Sequence, residues 1–288
     1  MNRCKRRLWD ASKSELTTNS GLVTLSSKKI QKLNTEPAKS CYTSAIGNSG
    51  QEFSVTDSST VQSNDSRLYS SEDSIVKRPA LPSSVYNVNC EHLARLLLGK
   101  CIVRELENGT HACGKIVETE SYPGSTDMAS HSYKGKTLRN AAMFMDPGTA
   151  YVYNIYGMYQ CFNISSKGNG TAVLIRSLEP VEGTDAMRAH RLAKRRGKSN
   201  TPLKDTHLCN GPSKLCHAMD ISKSQFDQHD LTKGISLWLV DGDQDIAQED
   251  IVLTTRIGIN GPGKERLARF YVRGNSCVSV RDKKAEHS

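Results

Sequence analysis

Two glutamates and a tyrosine near residue 120 are the first candidates for chemistry in this sequence. Glu118, Glu120 and Tyr122 lie in the segment Val117-Glu-Thr-Glu-Ser-Tyr122, and residues two apart share one face of a strand. A carboxylate at the end of a strand can take a proton from a reacting group. This segment is therefore our candidate for a catalytic carboxylate, and both glutamates remain open.

Arg176 is the second candidate, because it is the lone charge in the β-branched run 171–178. A charge inside such a strand is usually paired with an opposite charge. An ordinary surface alternation of polar and apolar residues is the alternative. The residues alone leave both interpretations open.

A run of tyrosines forms the third candidate. Four tyrosines fall between Tyr151 and Tyr159, in a chain that is only 6% aromatic. The alternation of Tyr with Val, Ile and Phe, broken at Tyr156-Gly157, predicts a β-hairpin. Tyr151 and Tyr153 share a face, and Tyr156 lies at or next to the tip, with nothing to pack on. A half-buried hairpin with tyrosine as core filler is the alternative.

The remaining pattern predicts the elements that position these residues. Asn89 is placed to cap a helix that ends near Gly99, with Leu93, Leu96 and Leu97 as its apolar stripe. Strands outnumber helices and are mostly linked by hairpins, which predicts an α+β domain around a curved, mostly antiparallel sheet with flanking helices. Strands are expected at 101–106, 110–120, 171–178, 235–240, 251–259, 269–274 and 278–281. A short helix is expected after Thr137, which can cap it, and a longer helix at 184–196. Another helix is expected to begin at Asn210-Gly-Pro-Ser-Lys214, capped by Asn210 or Ser213.

Composition bounds the class of protein. The 288 residues are 36% hydrophobic, which is ample for one core, and carry a formal charge of +9, which favours a polyanionic partner such as nucleic acid. No apolar run approaches the length of a membrane span. Nine cysteines without a C-x-x-C pair favour reduced thiols. We expect no metal, since the spacing of His207, Cys209, Cys216 and His217 matches no common zinc signature.

The N-terminal segment 1–84 is rich in serine and poor in large apolar residues. Such a segment buries too little surface to offset ordering entropy, so we predict a disordered basic tail before a folded domain at 85–288. Lys5-Arg-Arg7 and Lys28-Lys29 can serve nuclear import or loose DNA contact, or belong to a merely solvated tail. Asp10 and Glu15 count against a mitochondrial transit peptide.

Several of these segments together resemble one family, the alkyladenine (3-methyladenine) DNA glycosylases. The resemblance spans about residues 85–282. It implies a monofunctional glycosylase, without cofactor or metal, that flips alkylated or deaminated purines out of duplex DNA and hydrolyses the N-glycosidic bond, which starts base excision repair. The implied substrates are 3-methyladenine, 7-methylguanine, hypoxanthine and ethenoadenine. The matching segments are Gly114–Tyr122, Arg139-Asn140, Met143–Thr149, Tyr151–Tyr159, Asn163–Ser165, Leu174–Arg176, Gly211–Leu215 and Arg269–Gly274.

The resemblance also implies a role for individual residues. Glu120 is expected to be the general base for water, Arg176 to help position that water, and Tyr156 to be the hairpin wedge that enters the DNA. The base pocket is expected to include Tyr122, Ala129, His131, Tyr153 and Asn163, and further DNA contacts are expected from Arg139, Met158, Tyr159 and Lys214.

The partner implied by the resemblance is double-stranded DNA with damaged purines, bound by a monomer in the nucleus, with a mitochondrial pool left open. Downstream repair proteins are expected to bind through the tail. A non-catalytic nucleic-acid-binding module of the same fold is the alternative, and such a module needs neither Glu120 nor Arg176. A bifunctional glycosylase/lyase is disfavoured, because no lysine occupies the implied pocket positions.

Overall fold

A single eight-stranded sheet, with every pairing antiparallel, organises the residues that this computed structural model describes, 74–195 and 202–287. The strand order is β3-β4-β5-β2-β1-β6, while β8 pairs with both β2 and β7. The predicted α+β class and antiparallel sheet are confirmed. The strands are β1 Cys101–Glu105, β2 His111–Tyr122, β3 Ala150–Ile155, β4 Tyr159–Ser165, β5 Ala172–Glu182, β6 Leu237–Val240, β7 Ile251–Thr255 and β8 Leu267–Val272.

The long strand β2 is the centre of the sheet. Its residues 111–115 pair with β1, and its residues 118–120 pair with β8. On its other side β2 pairs with β5, and this register shifts on either side of Glu118. Such bulges bend a strand and re-aim its side chains. The predicted catalytic segment therefore lies where the sheet branches.

Short helices flank the sheet. They are α1 Ser83–Tyr86, α2 Cys90–Leu96, α3 Thr184–Ala193, α4 Pro212–Ala218, α5 Lys223–Phe226 and α6 Lys283–Glu286, with 3₁₀ turns at Ile75–Lys77, Gly124–Thr126, Ala141–Phe144, Asp205–His207, Leu231–Lys233 and Gln248–Asp250. None of the helices within the described ranges is long and apolar enough to cross a membrane.

Helix α2 shows how the local signals worked. The side chain of Asn89 accepts a hydrogen bond from the His92 backbone N–H at 2.9 Å, as a helix cap should. Leu93 and Leu97 are fully buried, but Leu96 is 38% exposed, so its place in the apolar stripe was wrong. At 100° per residue Leu96 lies on one side of the Leu93–Leu97 line, whereas the buried Cys90, Ala94 and Leu98 lie on the other, so the buried face is turned away from Leu96.

The folded part begins before the predicted boundary at residue 85. Ile75 and Leu81 are buried, and the Leu81 backbone N–H donates to the Leu239 carbonyl at 2.8 Å. Residues 74–84 therefore join the domain, which corrects the tail prediction for that stretch. Isolated apolar residues in a polar segment give no periodicity that could reveal this docking. The rest of the predicted tail, 1–73, lies outside the described residues.

Of the strands predicted near the C-terminus, one is shorter than expected and one is absent. β7 stops at Thr255 instead of continuing to residue 259, because residues 256–259 leave the sheet, and residues 257–259 form a wall of the cavity described below. Residues 278–281 form no strand. Ser279 instead turns its backbone N–H and hydroxyl toward Glu118.

The predicted helix after Thr137 is a 3₁₀ turn at Ala141–Phe144. The residue at its N-cap position is Asn140. Thr137 bonds to that residue in both directions: its hydroxyl accepts from the Asn140 backbone N–H at 3.4 Å, and its backbone N–H donates to the Asn140 side chain at 2.6 Å. Helix α3 ends at Ala193, and the last residue of its predicted span, 196, lies outside the described residues.

Candidate active site

A cavity of about 310 Å³ opens beside the tyrosine hairpin. The end of β2, the loop that follows it, both hairpin strands, β5 and residues 257–259 surround it. This places most of the residues singled out from the sequence around one space: Glu120, Tyr122, Ala129, His131, Tyr153, Asn163 and Arg176 line it.

Glu120 is a buried carboxylate that faces this cavity. One oxygen accepts a hydrogen bond from the Tyr122 hydroxyl at 2.8 Å, and the other accepts from the Ile257 backbone N–H at 2.8 Å. The Arg176 guanidinium lies 3.1 Å from the second oxygen. These donors hold the carboxylate in one orientation and balance its charge in a site removed from water.

Glu118 shares the strand face with Glu120 but does not line the cavity. Its oxygens accept from Arg176 Nε, Arg269 Nη1, the Ser177 hydroxyl, and the Ser279 backbone N–H and hydroxyl, at 2.7 to 3.0 Å. A carboxylate offers about four lone-pair directions, so these five donors use all of them. The oxygens of Glu118 are therefore fully engaged by protein donors, and of the two carboxylates only Glu120 faces the cavity.

The pKa of Glu118 agrees with these contacts. Burial raises this pKa, but the charge of Arg176 and the hydrogen bonds from Ser279 more than offset burial and hold it below its ordinary value. Glu118 thus stays charged throughout the neutral range. Its negative charge forms ion pairs with Arg176, which lines the cavity, and with Arg269.

Arg176 bridges the two glutamates, with Nε on Glu118 and Nη1 on Glu120. Burial alone would lower its pKa, but the charges of Glu120 and Glu118 raise the pKa above its ordinary value. The expectation of a paired charge inside the strand is confirmed, and the alternative of a surface alternation is wrong.

Aromatic side chains form the walls of the cavity. His131 meets the Tyr153 ring edge-on with centroids 4.5 Å apart, and its Nδ1 lies 2.9 Å from the Tyr151 hydroxyl. Burial, and then the nearby charge of Arg139, lower the pKa of His131. Burial also raises the pKa of Tyr151 to about 12. These walls are therefore uncharged at neutral pH.

Tyr122 and Asn163 complete the polar lining. Burial and the charge of Glu120 raise the pKa of Tyr122 well above its ordinary value, so its hydroxyl remains a donor to that carboxylate. Asn163 lies opposite Tyr151 in the hairpin register, and its side-chain amide donates to the Tyr151 carbonyl at 3.0 Å. That bond fixes the amide plane in the cavity.

The hairpin tip is exposed and strained. Tyr156 is 89% exposed and has a φ of 50°, while Gly157 has a φ of 71°. The Met158 N–H closes the turn on the Ile155 carbonyl at 3.2 Å. A bulky residue in the left-handed region is unusual and costs free energy. Together with the exposed Met158 and Tyr159, the tip presents three large side chains to solvent.

Core filling thus accounts for only part of the hairpin. Tyr151 is buried in a cluster with Met143 and Ala172, as that interpretation expects. Tyr156, one residue beyond the far end of that strand, buries almost nothing. The tyrosine run therefore divides into a cavity end and a solvent end.

Arg139 and Lys214, predicted to contact DNA, lie outside the cavity lining. The Arg139 guanidinium lies over the Tyr153 ring at 5.8 Å. Lys214 donates to the Asn210 side chain at 2.8 Å, and α4 has no side-chain cap, so the predicted caps Asn210 and Ser213 were wrong. Asn210 is occupied by the lysine, and Gly211 takes the cap position.

Lys214 lines a smaller cavity of about 180 Å³ beside Tyr159 at the base of the hairpin tip. Burial, and then the charge of Arg191, lower the pKa of Lys214. The lining contains no carboxylate and four cationic side chains, which are Arg191, Lys194, Arg195 and Lys214. The ring of His217 also lines it, and burial lowers the pKa of that ring. This arrangement suits an anion.

Arg256 and Asp127 are site residues that the sequence analysis missed. Both are buried and form a two-pronged ion pair, and Arg256 also donates to the Ser121 carbonyl at 3.2 Å. The guanidinium lies over the Tyr122 ring at 4.7 Å. Arg256 follows a β-branched run, as Arg176 interrupts one, and that shared pattern was the signal that could have revealed it.

No group of three or more His, Cys, Asp or Glu side chains in the described part of the chain is arranged to hold a metal ion. Cys209 and Cys216, which were considered from the sequence, are both buried.

Comparison with known proteins identifies the relatives of this fold. The sequence model of the methylpurine-DNA glycosylase family matches residues 84–276. The chain is 51% identical over 197 residues to the DNA-3-methyladenine glycosylase of Homo sapiens, which covers 67% of this chain and 66% of that protein. It is 47% identical over 195 residues to the probable DNA-3-methyladenine glycosylase of Encephalitozoon cuniculi, covering 67% of this chain and 89% of that protein.

A bacterial relative is covered almost completely. The putative 3-methyladenine DNA glycosylase of Carboxydothermus hydrogenoformans is 45% identical over 201 residues, covering 69% of this chain and 98% of that protein. The match spans 66%, 59% and 62% of the human, mouse and rat proteins, that is, less than two thirds of their length. By the extent of the family match and of these identities, the chain belongs to the methylpurine-DNA glycosylase family.

Proposed function

We propose that this protein is a DNA-3-methyladenine glycosylase that hydrolyses the N-glycosidic bond of damaged purines in duplex DNA. One observation carries the proposal: Glu120 and Arg176 form an ion pair inside an aromatic cavity. A module that only binds nucleic acid needs no such pair. Family membership and the names of the relatives support the same activity.

The proposed reaction uses the geometry around Glu120. Loss of a purine leaves an oxocarbenium-like sugar carbon, to which the oxygen of a water molecule bonds. Glu120 accepts the proton of that water and, as an anion, stabilises the positive sugar. The electron pair of the broken bond leaves with the base: a positively charged alkylated base departs neutral, and a neutral base takes up a proton from water as it departs. Arg176 keeps the carboxylate oriented and contributes a donor for the water.

The aromatic walls account for selection of damaged bases. Flipping a nucleotide costs a few kcal/mol, and stacking on an aromatic side chain returns about 1–3 kcal/mol per base. An N-alkylated purine carries positive charge and gains a further cation–π attraction to tyrosine faces. The lowered pKa of His131 supports this selection, because a neutral imidazole does not repel a cationic base.

We extend the proposal to 3-methyladenine, 7-methylguanine, hypoxanthine and ethenoadenine as substrates. We propose that the amide of Asn163, held by its hydrogen bond to the Tyr151 carbonyl, crowds the 2-amino group of an undamaged guanine. Such crowding selects against the wrong base. The 2-amino group is absent from adenine and hypoxanthine, so these purines avoid the clash. 7-Methylguanine keeps that group, and its positive charge supplies the cation–π attraction to the tyrosine faces that offsets the crowding.

The surface around the cavity supports binding to duplex DNA. Tyr156 is placed to fill the gap that a flipped nucleotide leaves, as apolar wedges do in the minor groove. The cationic cavity around Lys214, which Tyr159 also lines, suits a backbone phosphate. Met158 is exposed at the hairpin tip, and Arg139 lies over the Tyr153 ring at the base cavity, so both can meet the same duplex. Net charge of +9 agrees with a polyanionic partner.

We also propose that the protein acts as a monomer in the nucleus, without cofactor or metal, and that segment 1–73 binds downstream repair proteins. The basic clusters Lys5-Arg-Arg7 and Lys28-Lys29 support the nuclear location. Fractionation of cells that express the tagged full chain, with and without these clusters, tests that location.

Base release tests the proposed activity. The full chain is incubated with duplexes that contain, in turn, each of the four lesions or an undamaged purine, and released base is separated from DNA. We expect release from the damaged duplexes and none from the undamaged one. Binding to damaged duplexes without release of any base would instead favour the non-catalytic module. A covalent adduct trapped by borohydride would favour the lyase.

A further inference from the structure

The loop between His131 and Asn140 presents the most exposed large apolar side chain of the described residues. Leu138 is 97% exposed, and the next in order is Tyr156 at the hairpin tip. Both flank the base cavity, since His131 at the start of the loop lines it and Tyr156 follows directly on β3. An apolar surface beside a binding site is a candidate contact surface.

The exposure of Leu138 does not come from a slack loop. Asn140 is buried, and its side-chain amide donates to the carbonyls of His131 at 2.9 Å and Gly135 at 3.1 Å. Its oxygen accepts from the Thr137 backbone N–H at 2.6 Å. The side chain of Asn140, at the end of the loop, is thus hydrogen-bonded to the start of the loop and to two positions further along it. Leu138 lies between Thr137 and Asn140, which this hydrogen bonding holds together, and its side chain points into solvent.

The surroundings of Leu138 are cationic. Lys134, Lys136 and Arg139 lie within four residues of it, and the segment 131–140 contains no acidic residue. Lys134 and Arg139 also line a shallow cavity of about 330 Å³, which shares His131 as a wall with the base cavity. An apolar side chain among cations and without carboxylates fits the groove of a polyanion better than a protein surface.

The loop that carries Leu138 also packs against the hairpin through side-chain contacts. His131 meets the Tyr153 ring edge-on, and Arg139 lies over the same ring. Tyr153 belongs to β3, which ends at the residue before Tyr156. Leu138 and Tyr156 are therefore carried by two segments that contact each other through Tyr153.

We propose that Leu138 is a second apolar contact with duplex DNA, pressed into the groove beside the flipped nucleotide while Lys134, Lys136 and Arg139 meet the flanking phosphates. The inference rests on the proposed binding of duplex DNA and is independent of base hydrolysis. Leucine is among the side chains that serve as wedges in DNA grooves. A second contact would keep the bent or opened duplex from closing while the base is out.

The test compares Leu138→Ala with Ile235→Ala in the full chain. Ile235 is a matched control, because it is 62% exposed and lines none of the cavities described here. Affinity is measured by titrating a duplex that contains ethenoadenine, and again by titrating the same lesion in a single strand. Thermal unfolding of both variants checks that the fold is unchanged.

We expect Leu138→Ala to bind the duplex about tenfold more weakly than the parent, a ratio that corresponds to about 1.4 kcal/mol. Ile235→Ala should bind as the parent does. The effect of Leu138→Ala should be much smaller on the single strand, which has no groove. Equal duplex affinity of Leu138→Ala and Ile235→Ala would overturn the proposal, as would an equal loss on duplex and single strand.

Base release from the same ethenoadenine duplex separates the two proposals. If the parent releases base while Leu138→Ala binds normally, only the Leu138 contact is overturned. If the parent releases no base but Leu138→Ala still weakens duplex binding, the proposed Leu138 contact is supported and the proposed hydrolytic function is overturned. If the parent does not bind the damaged duplex, both are overturned.

Discussion

Replacing Tyr156 by glycine should separate the stability of the fold from the flipping of a base. Tyr156 is 89% exposed and has a φ of 50°, so its side chain stabilises the fold little while its backbone is strained. Glycine adopts that φ without the steric cost of a side chain, about 1–2 kcal/mol for an ordinary residue. The greater freedom of glycine in the unfolded chain offsets about 0.5–1 kcal/mol of the gain. We therefore expect Tyr156→Gly to unfold at the same temperature as the parent, or slightly higher.

The same substitution should weaken flipping. Stacking of an aromatic side chain on bases contributes about 1–3 kcal/mol, which corresponds to a factor between about five and 150 in the flipping equilibrium. Fluorescence of ethenoadenine in a duplex reports its departure from the base stack, and calorimetry reports stability. Tyr156→Phe is the matched control, since it keeps the ring and should behave as the parent does. An unchanged flipping equilibrium in Tyr156→Gly would refute the wedge, and a large loss of stability would refute the strain.

Three further outcomes follow from the site. Asn163→Ser should remove the crowding at the 2-amino group and allow release of guanine from mismatches; the same guanine release as the parent would reassign Asn163 to a structural role in the hairpin. Because the pKa of His131 is lowered in the folded state, the unfolded chain binds more protons below its ordinary pKa of about 6.5. Unfolding temperatures measured between pH 7.5 and 5 should thus fall more steeply for the parent than for His131→Gln, and equal slopes would contradict a buried neutral imidazole. Deletion of residues 1–73 should leave excision and stability largely intact, whereas deletion of 1–84 should lower the unfolding temperature, since it also removes the buried Ile75 and Leu81; equal stability of the two deletions would show that this stretch does not dock.

The hairpin could be predicted because its signal is local. Tyrosines alternate with β-branched residues, and the glycine at the tip accepts the positive φ that the turn demands. The same alternation placed Tyr151 and Tyr153 on one face, and both line the cavity. Alternation alone also put Tyr156 at or beside the tip, free of packing.

The distinction between Glu118 and Glu120 could not come from the sequence. A spacing of two residues puts both on one face, and nothing nearby in the chain separates them. The donors that occupy Glu118 include Arg269 and Ser279, about 150 residues away along the chain. Only the branching of the sheet brings them to one carboxylate and leaves the other facing the cavity.

Other misses have the same physical origin. A β-branched pattern predicts extended backbone but not where the sheet ends, so the sequence predicts a strand through residue 259 although the strand ends at Thr255 and residues 257–259 line the cavity. The cap has a different origin: Lys214 is only four residues from Asn210, and capping preferences do not include a neighbour that competes for the same side chain. The buried pair of Arg256 and Asp127 joins segments about 130 residues apart, and no periodicity links them.

The central claim is that Glu120 activates the water that attacks the sugar, and single-turnover excision by Glu120→Gln tests it most directly. The assay uses a saturating amount of protein on a hypoxanthine duplex, with binding measured in parallel and Glu118→Gln run beside it at a temperature where it remains folded. Glutamine cannot accept the proton, and general-base contributions are about 10²–10⁴-fold. We predict a loss of at least that size for Glu120→Gln with binding retained, while Glu118→Gln loses mainly stability, because its buried donors lose a charged acceptor. Normal excision by Glu120→Gln, or loss of excision confined to a folded Glu118→Gln, would contradict the account.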